Sequence, residues 1–246
     1  RETRLLAVGD LMFGVCALAY APPSSRIPDL VERGEDLVTG PLRELFGHHD
    51  LRCGNLECVL TERDLPRGRK ALIGPSRTAD QLRRLGLDVL SLANNHVNDY
   101  GQAYVAETKR ILRGAGIDYL YSPATGEDVV VREAGGRRVA FVGYGLKPCY
   151  NVETDNYDDP DQYKDLDLYV DGLRSLAAGD GGEPLSEGNV KPLLASVAKA
   201  RAQDVAHVVL LIHWGYALTR FPSRFQIEIG HLLVDAGVDV VLGAHP

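Results

Sequence analysis

The sequence lacks the basic patches that a nucleic-acid-binding protein needs. Among 246 residues, 34 Asp and Glu outnumber 27 Lys and Arg, for a formal net charge of -7 and a pI near 5.5. Nucleic-acid phosphates are bound by clustered Lys and Arg. Here Arg67, Arg69 and Lys70 form the one tight basic group. We interpret this group as a solvated loop or an anion-attracting rim, and expect no nucleic-acid partner.

Long apolar runs and paired cysteines are missing as well. No run reaches the roughly 18 apolar residues of a membrane-spanning helix, so no span is predicted in this chain. The 4 cysteines contain no CxxC pair, which argues against a zinc ribbon or a small disulfide framework. The chain starts without Met and stops inside a motif at Pro246. We therefore expect both ends to continue in the native protein.

The composition that remains is that of an ordinary globular domain, with 45% apolar and 25% charged residues. A chain of this length can bury one substantial core, so we expect a single domain over residues 1–246. Strand-like apolar runs alternate with helical segments, which favours an α/β fold with a largely parallel sheet. A Gly135-Gly136 turn between two apolar runs predicts a β-hairpin that adds antiparallel members.

Three local predictions concern the positioning of the polar motifs. A strand is predicted over residues 207–212, directly before His213. The stretch 61–74, with Pro66 and two glycines, is predicted to cross the surface. Thr78 followed three residues later by Gln81 predicts a capping box at the start of a helix.

Five short polar motifs follow the predicted strands. They are Gly-Asp at 9–10, Asn-Leu-Glu at 55–57, Asn-Asn-His at 94–96, His-Trp-Gly at 213–215 and Gly-Ala-His-Pro at 243–246. In an open α/β sheet, ligands gather where parallel strands end at their carboxyl edge. The sequence therefore predicts that oxygen and imidazole donors from five places meet there and form a dinuclear metal centre.

The donors suggest a division of roles. Two cations about 3.5–4 Å apart repel each other and need a bridging carboxylate; Glu57 fits this role, with Asp10 as the other carboxylate. Asn95 would add an amide oxygen, and His213 and His245 would add imidazole nitrogens. This mixed set of oxygen and imidazole donors suits Mn, Zn or Fe and differs from a zinc site built of thiolates.

Each of these residues also has an ordinary structural explanation. An Asp after a strand often caps a helix, His96 could be a capping side chain, and His213 beside Trp214 could be a packed aromatic pair. Their joint occurrence at strand ends favours a metal site or its evolutionary remnant. With two divalent ions bound, hydrolysis of a phosphoester, or of an amide, is the expected chemistry. His96 is then the candidate general acid.

Taken together, the five motifs, with Asp99 and Gly101 after the third, closely resemble the CapA family of bacterial poly-γ-glutamate capsule synthesis proteins. This family is a branch of the calcineurin-like metallophosphoesterase superfamily. The resemblance implies a four-layer α/β/β/α sandwich, here expected to be truncated at the C-terminus. It also implies metal-site roles for the residues that match the superfamily's motifs: Asp10, Glu57, Asn95, His96, His213 and His245.

The sequence departs from the family pattern at three places. Met12 stands where the superfamily has a histidine ligand, and Ala217 stands where the family commonly has a glutamate. A second histidine is expected directly after Pro246, beyond the last residue of this chain. The resemblance therefore implies that one metal position is weak or empty.

Several functions fit this resemblance. The first is a metal-dependent hydrolase that acts on an anionic small molecule or polymer in capsule or poly-γ-glutamate synthesis. The second is a non-catalytic subunit of a polyglutamate synthesis or export assembly, bound to membrane synthase subunits. A third is a glutamyl-polymer or glycan binder that uses the long polar segment 147–188. The resemblance suggests an extracellular, membrane-associated location, and unpaired cysteines are equally compatible with the cytoplasm.

Overall fold

A computed structural model of the chain describes residues 2–13, 15–16, 31, 33–34, 36, 40–63, 70–150, 190–216, 222 and 224–245. The chain divides into two compact units, Arg1–Tyr119 and Leu120–Pro246. The predictions made for Arg67, Arg69, Ala217 and most of the segment 147–188 lie outside the described residues.

The elements described in the first unit are β1 Leu5–Leu11, β2 Val15–Cys16, α1 Gly40–Gly47, β3 Leu51–Leu56, β4 Val59–Thr61, β5 Lys70–Ala71, β6 Ile73–Pro75, α2 Thr78–Arg84, β7 Val89–Ser91, α3 Gln102–Gly114 and β8 Asp118–Leu120. Four of the strands form a sheet in the order β1-β3-β7-β8, in which the pairs β1–β3 and β3–β7 are parallel. Two short two-stranded pairs, β2 with β5 and β4 with β6, accompany this sheet.

Packing in this unit follows the apolar pattern of the sequence. Strand β3 is buried along nearly its whole length, and helix α3 buries Val105, Ile111 and Leu112 on one face. The buried Thr108 of α3 accepts a hydrogen bond from the backbone N–H of Leu60 at 2.8 Å and donates one to the Tyr104 carbonyl at 2.8 Å. This hydroxyl holds α3 against β4, because a buried backbone donor needs a partner.

The predicted surface crossing at 61–74 is wrong at its C-terminal end. Ile73 and Gly74 are buried, and they form β6, which pairs in parallel with β4. Burial of Ile73 beneath Tyr100 and Tyr104 overrides the turn signal of the nearby proline and glycines. This segment therefore contributes to the core of the first unit.

The predicted capping box at Thr78 is wrong as well. The N-cap of α2 is Arg77, and it makes no side-chain capping hydrogen bond. The first turn is closed instead by the Ser76 carbonyl, which accepts from the N–H of Ala79 at 3.0 Å. Thr78 is fully buried inside the helix, so its hydroxyl faces the core rather than the helix end.

The second unit contains a sheet in the order β12-β11-β10-β9, with parallel pairs β10–β11 and β11–β12. Strands β9 and β10 form the predicted antiparallel hairpin, and Gly135 and Gly136 have φ of 60° and 75° in its turn, values that suit glycine. The elements described in this unit are β9 Val129–Ala134, β10 Arg137–Tyr150, α4 Lys191–Arg201, β11 His207–Tyr216, α5 Arg224–Asp235 and β12 Val240–Ala244, with a short 3-10 helix at Pro123–Thr125.

Strand β11 is longer than predicted. It continues through His213 to Tyr216 and pairs His213 with Gly145 of β10 and Ala244 of β12. The apolar residues of β10 and β11 pack against Leu193 and Val197 of α4 in one buried cluster. His213 is therefore fixed on both sides by sheet hydrogen bonding.

The predicted α/β class, with parallel sheets and one antiparallel hairpin, is confirmed. The helices within the described ranges are all too short or too polar to cross a membrane.

Candidate metal centre

Asp10 lies at the end of the first strand and is paired to the neighbouring strand through its side chain. In the sheet register it is opposite Asn55 of β3. The Asn55 side-chain amide donates a hydrogen bond of 2.6 Å to an Asp10 carboxylate oxygen. The parallel pairing of β1 and β3 thus brings the first two sequence motifs together, as the strand-end argument predicts.

Glu57 follows β3 directly and is 3% exposed. Its backbone N–H donates to the Leu11 carbonyl at 3.1 Å, which fixes the residue beside the end of β1. Four effects together raise the pKa of the Glu57 carboxyl to about 8: burial, which is the largest, then the negative charge of Asp10, a side-chain hydrogen bond with Asp10 and the charge of Asp99. Two carboxyl groups that share a hydrogen bond in a buried place hold a proton or attract a cation.

His96 lies in the turn after β7, between two acidic side chains. Its Nδ1 is 2.8 Å from an Asp99 carboxylate oxygen, and its Nε2 is 3.9 Å from Glu57 Oε1. Because a carboxylate only accepts hydrogen bonds, Nδ1 carries the proton that is donated to Asp99. Nε2 is then the atom that faces Glu57.

The two asparagines before His96 have different environments. Asn94 is 9% exposed; its amide donates to the Asn55 side-chain oxygen at 3.1 Å and to the Leu56 carbonyl at 2.9 Å. Asn95, the predicted metal ligand, is exposed, and its amide nitrogen lies 3.4 Å from His96 Nε2. Asn95 is therefore placed next to the candidate acid, on the outer side of the turn.

In the second unit, His213 and His245 lie side by side. They are 1% and 7% exposed, and their rings meet edge to face with centroids 4.7 Å apart. His245 follows β12 with a positive φ of 75°, a conformation that is uncommon for residues other than glycine. Strained backbone of this kind concentrates at functional sites.

The glycine of the Gly-Ala-His-Pro motif has a packing role. A Cβ at Gly243 would lie 3.1 Å from the indole nitrogen of Trp214. The close approach lets the large Trp214 side chain lie across β12 while β11 and β12 stay paired. The same strands then carry His213 and His245 to adjacent positions.

The residues present fit divalent metal ions in each unit. In the first unit, the adjacent carboxyls of Asp10 and Glu57 repel each other, and a bound cation would relieve that repulsion. In the second unit, two buried imidazoles present nitrogen donors within the same small volume. Oxygen and imidazole donors without thiolates suit Mn, Zn or Fe.

The sequence patterns gave no role to Asn55, Asn94 or Asp99, although all three lie within or beside the motifs. The His-x-x-Asp spacing of His96 and Asp99 places the two side chains on one side of a turn, and this spacing could have identified Asp99. Asn55 and Asn94 carry no comparable local signal, because their partners are distant in the sequence.

The fold and these side chains define a class of protein: an α/β protein with carboxylate and imidazole groups at its strand ends, a donor set that suits metal ions. The particular family follows from comparison with known proteins. The family model of the bacterial capsule synthesis protein PGA_cap matches residues 4–246. The chain belongs to this family, which confirms the resemblance to CapA proteins.

Two curated relatives match over nearly all of this chain. It is 27% identical to the capsule biosynthesis protein CapA of Bacillus anthracis, over 97% of this chain and 53% of that protein. It is 24% identical to the PGA biosynthesis protein CapA of Bacillus subtilis (strain 168), over 97% of this chain and 56% of that protein. The chain therefore spans about half the length of the curated relatives that it matches.

Among solved structures, the chain is similar to the sulfate thiohydrolase SoxB of Thermus thermophilus. The identity is 16%, the TM-score is 0.48, and the match covers 98% of this chain and 47% of the other.

Proposed function

We propose that this chain is a metal-dependent hydrolase of the metallophosphoesterase type that acts in capsule or poly-γ-glutamate synthesis. Its substrate is an anionic small molecule or polymer, cleaved at a phosphoester or an amide bond. Two divalent ions, Mn, Zn or Fe, serve the reaction, and one position is weaker because Met12 supplies no strong ligand. The proposed metal ligands are Asp10, Glu57, Asn95, His213 and His245.

The observation that supports this proposal most is the environment of Glu57. It is a buried carboxyl whose nearest titratable neighbours include Asp10 and Asp99, and all three effects of these neighbours raise its pKa. A carboxyl in such a place destabilises the metal-free fold when it is ionised. Such an arrangement suits a site that binds a cation.

The residues of the chain would divide the work as follows. Bound divalent ions supply a Lewis acid that polarises an oxygen of the substrate. His96 would act as an acid in its doubly protonated form, in which Nδ1–H donates to Asp99 and Nε2–H is the proton passed to the leaving-group oxygen. Asp99 does not touch the reacting bond; it fixes the orientation of the ring and stabilises its positive charge.

Metal content and turnover measured together test the proposal. The protein would be purified without added metal, loaded with Mn or Zn, and assayed on an aryl phosphate. We expect stoichiometric metal and turnover in the wild type, and parallel loss of both in Glu57→Gln and His213→Ala. His207→Ala is the matched control, because His207 lies on the same strand β11, is half-exposed and has Asp239 3.9 Å away.

The opposite result would identify the non-catalytic alternative. A folded wild-type protein that binds no Mn or Zn and cleaves no aryl phosphate contradicts the hydrolase. If that protein still co-purifies with membrane synthase subunits, it acts as a subunit of an assembly.

A further inference from the structure

Three hydrogen bonds run in series between the first and third motifs. The Asn55 amide donates to the Asp10 carboxylate at 2.6 Å. The Asn94 amide donates to the Asn55 side-chain oxygen at 3.1 Å. The backbone N–H of His96 donates to the Asn94 side-chain oxygen at 3.1 Å. Two asparagine side chains thus connect a proposed metal ligand to the loop of the proposed general acid.

The direction of this series is fixed at both ends. The Asp10 carboxylate only accepts, so Asn55 must present its NH₂ to Asp10 and its oxygen to Asn94. The His96 backbone N–H only donates, so Asn94 must present its oxygen to His96 and its NH₂ to Asn55. The bond from the Asn94 amide to the Leu56 carbonyl, 2.9 Å long, requires the same orientation independently.

Both asparagines are buried, at 4% for Asn55 and 9% for Asn94. In such surroundings a satisfied hydrogen bond is strong, and a missing partner is costly. Asn55 lies in β3, between β1, which carries Asp10, and β7, which precedes Asn94. The series therefore crosses three neighbouring strands at their carboxyl ends.

We propose that Asn55 and Asn94 are positioning residues that couple the orientation of the Asp10 carboxylate to the placement of the His96 loop. This proposal rests on the proposed function, because it takes Asp10 as a metal ligand and His96 as the general acid. An asparagine is required at both places, since a short side chain must donate on one side and accept on the other. The exposed Asn98, in the same turn, accepts a hydrogen bond from Gln102 instead.

Mn²⁺ affinity of the metal-free protein, measured by calorimetry, is the first test. We expect Asn55→Ala and Asn94→Ala each to weaken binding about 10- to 100-fold, the usual effect of losing a partner of a metal ligand. The double variant should bind no more weakly than the worse single variant, because both remove one series. Asn98→Ala, an exposed asparagine of the same turn whose side chain accepts from Gln102, should bind like the wild type.

Asn94→Asp separates positioning from space filling. This variant keeps the size of the side chain and the acceptor for His96, but turns a second acceptor toward Asn55 and Leu56. We expect its Mn²⁺ binding to be weaker than that of Asn94→Ala. If the Asn94 side chain only fills space, Asn94→Asp should instead bind Mn²⁺ more tightly than Asn94→Ala.

Amide hydrogen exchange at His96, without metal, is the second test. Exchange should be faster in Asn94→Ala, which removes the acceptor of the His96 N–H, and also in Asn55→Ala, which acts through the bond between Asn55 and Asn94. If the wild type binds no Mn²⁺, the proposed function fails, and the exchange result alone decides the positioning role. Two results would overturn the positioning role: unchanged Mn²⁺ affinity in both alanine variants, or unchanged His96 exchange in Asn55→Ala. If the wild type binds Mn²⁺ in the same experiments, the proposed function is not affected by these results.

Discussion

Two buried carboxyls, one in each unit, have opposite surroundings. Glu57 is 3% exposed and has Asp10 and Asp99 as negative neighbours, and its pKa is raised to about 8, first by burial and then by these charges. Asp128 is equally buried, at 3%. Burial also acts to raise its pKa, but hydrogen bonds from Lys199 and Ser196 outweigh that effect and lower the pKa below its ordinary value.

The difference separates a structural acid from a candidate functional one. Lys199 Nζ lies 2.7 Å from the Asp128 carboxylate, so the charge of Asp128 is compensated within the fold. Near Glu57, His96 Nε2 lies 3.9 Å from a carboxylate oxygen, and the Nδ1 of the same ring is bonded to Asp99. Asp128 therefore stabilises the fold as it is, whereas Glu57 costs stability until a proton or a cation arrives.

The largest expected effect is that of Glu57→Gln. This change should weaken Mn²⁺ binding by more than the loss of a supporting partner, which costs about 10- to 100-fold, because it removes a proposed ligand itself. In the metal-free protein the same change should raise the melting temperature at neutral pH, because a glutamine at this position needs no proton, whereas the Glu57 carboxyl must take one up on folding. The folded carboxyl binds its proton up to about pH 8 and the unfolded one only to about 4.5. Metal-free stability should therefore fall as the pH rises through this window in the wild type and not in the variant.

Calorimetry and thermal unfolding check both parts, with Glu62→Gln as the matched control. Glu62 is exposed and pairs with Arg110 at 2.7 Å. Full Mn²⁺ binding by Glu57→Gln would contradict a ligand role for Glu57. A lower melting temperature of the metal-free variant would show that Glu57, like Asp128, stabilises the fold.

A second effect concerns the histidine beside Glu57. His96→Asn should lower turnover of an aryl phosphate about 100- to 10,000-fold, the contribution expected of a general acid, while Mn²⁺ remains bound. Asp99→Asn should cost less, because Asp99 acts only through the ring. Equal loss of metal and turnover in His96→Asn would make His96 a ligand rather than an acid.

On the Asp128 side, Lys199→Met should lower the free energy of unfolding by about 1–3 kcal/mol, the cost of a buried acceptor that has lost its partner. The lower end is expected, because Lys199 is 47% exposed and Asp128 keeps its bond to Ser196. Chemical denaturation measures this change, and the double variant Asp128→Asn with Lys199→Met should recover part of it. Mn²⁺ affinity should not change in either variant.

The smallest effect is the pH dependence that Asp128 contributes. Its folded-state pKa is lowered, so its contribution is complete above the ordinary Asp value of about 3.9 and is lost as the pH falls through the folded-state pKa. The stability difference between wild type and Asp128→Asn should therefore shrink in acid. A stability difference between the two proteins that grows on acidification would contradict a lowered pKa of Asp128 in the folded state.

The strand-end donors could be predicted because their signals are local. Apolar runs before Asp10 and His245 predict strands, and parallel strands bring their carboxyl ends to one edge of a sheet. The Gly135-Gly136 hairpin was predictable for the same reason. In both cases a few adjacent residues carry the information.

Features that depend on distant partners were missed or wrong. Asn55 and Asn94 become meaningful only when β3 and β7 are paired, and an isolated asparagine reads as a turn residue. Thr78 has the local pattern of a capping box, but burial places it inside the helix. The strand ending predicted at residue 212 extends to Tyr216 because pairing with β10 continues past His213.

The number of Mn²⁺ ions bound per chain shows whether Glu57 and His213 are metal ligands when wild type, Glu57→Gln, His213→Ala and His207→Ala are compared. We expect bound metal in the wild type and in His207→Ala, and loss of metal in both Glu57→Gln and His213→Ala. Wild-type stoichiometry in either of these two variants would contradict the claim that both residues are metal ligands.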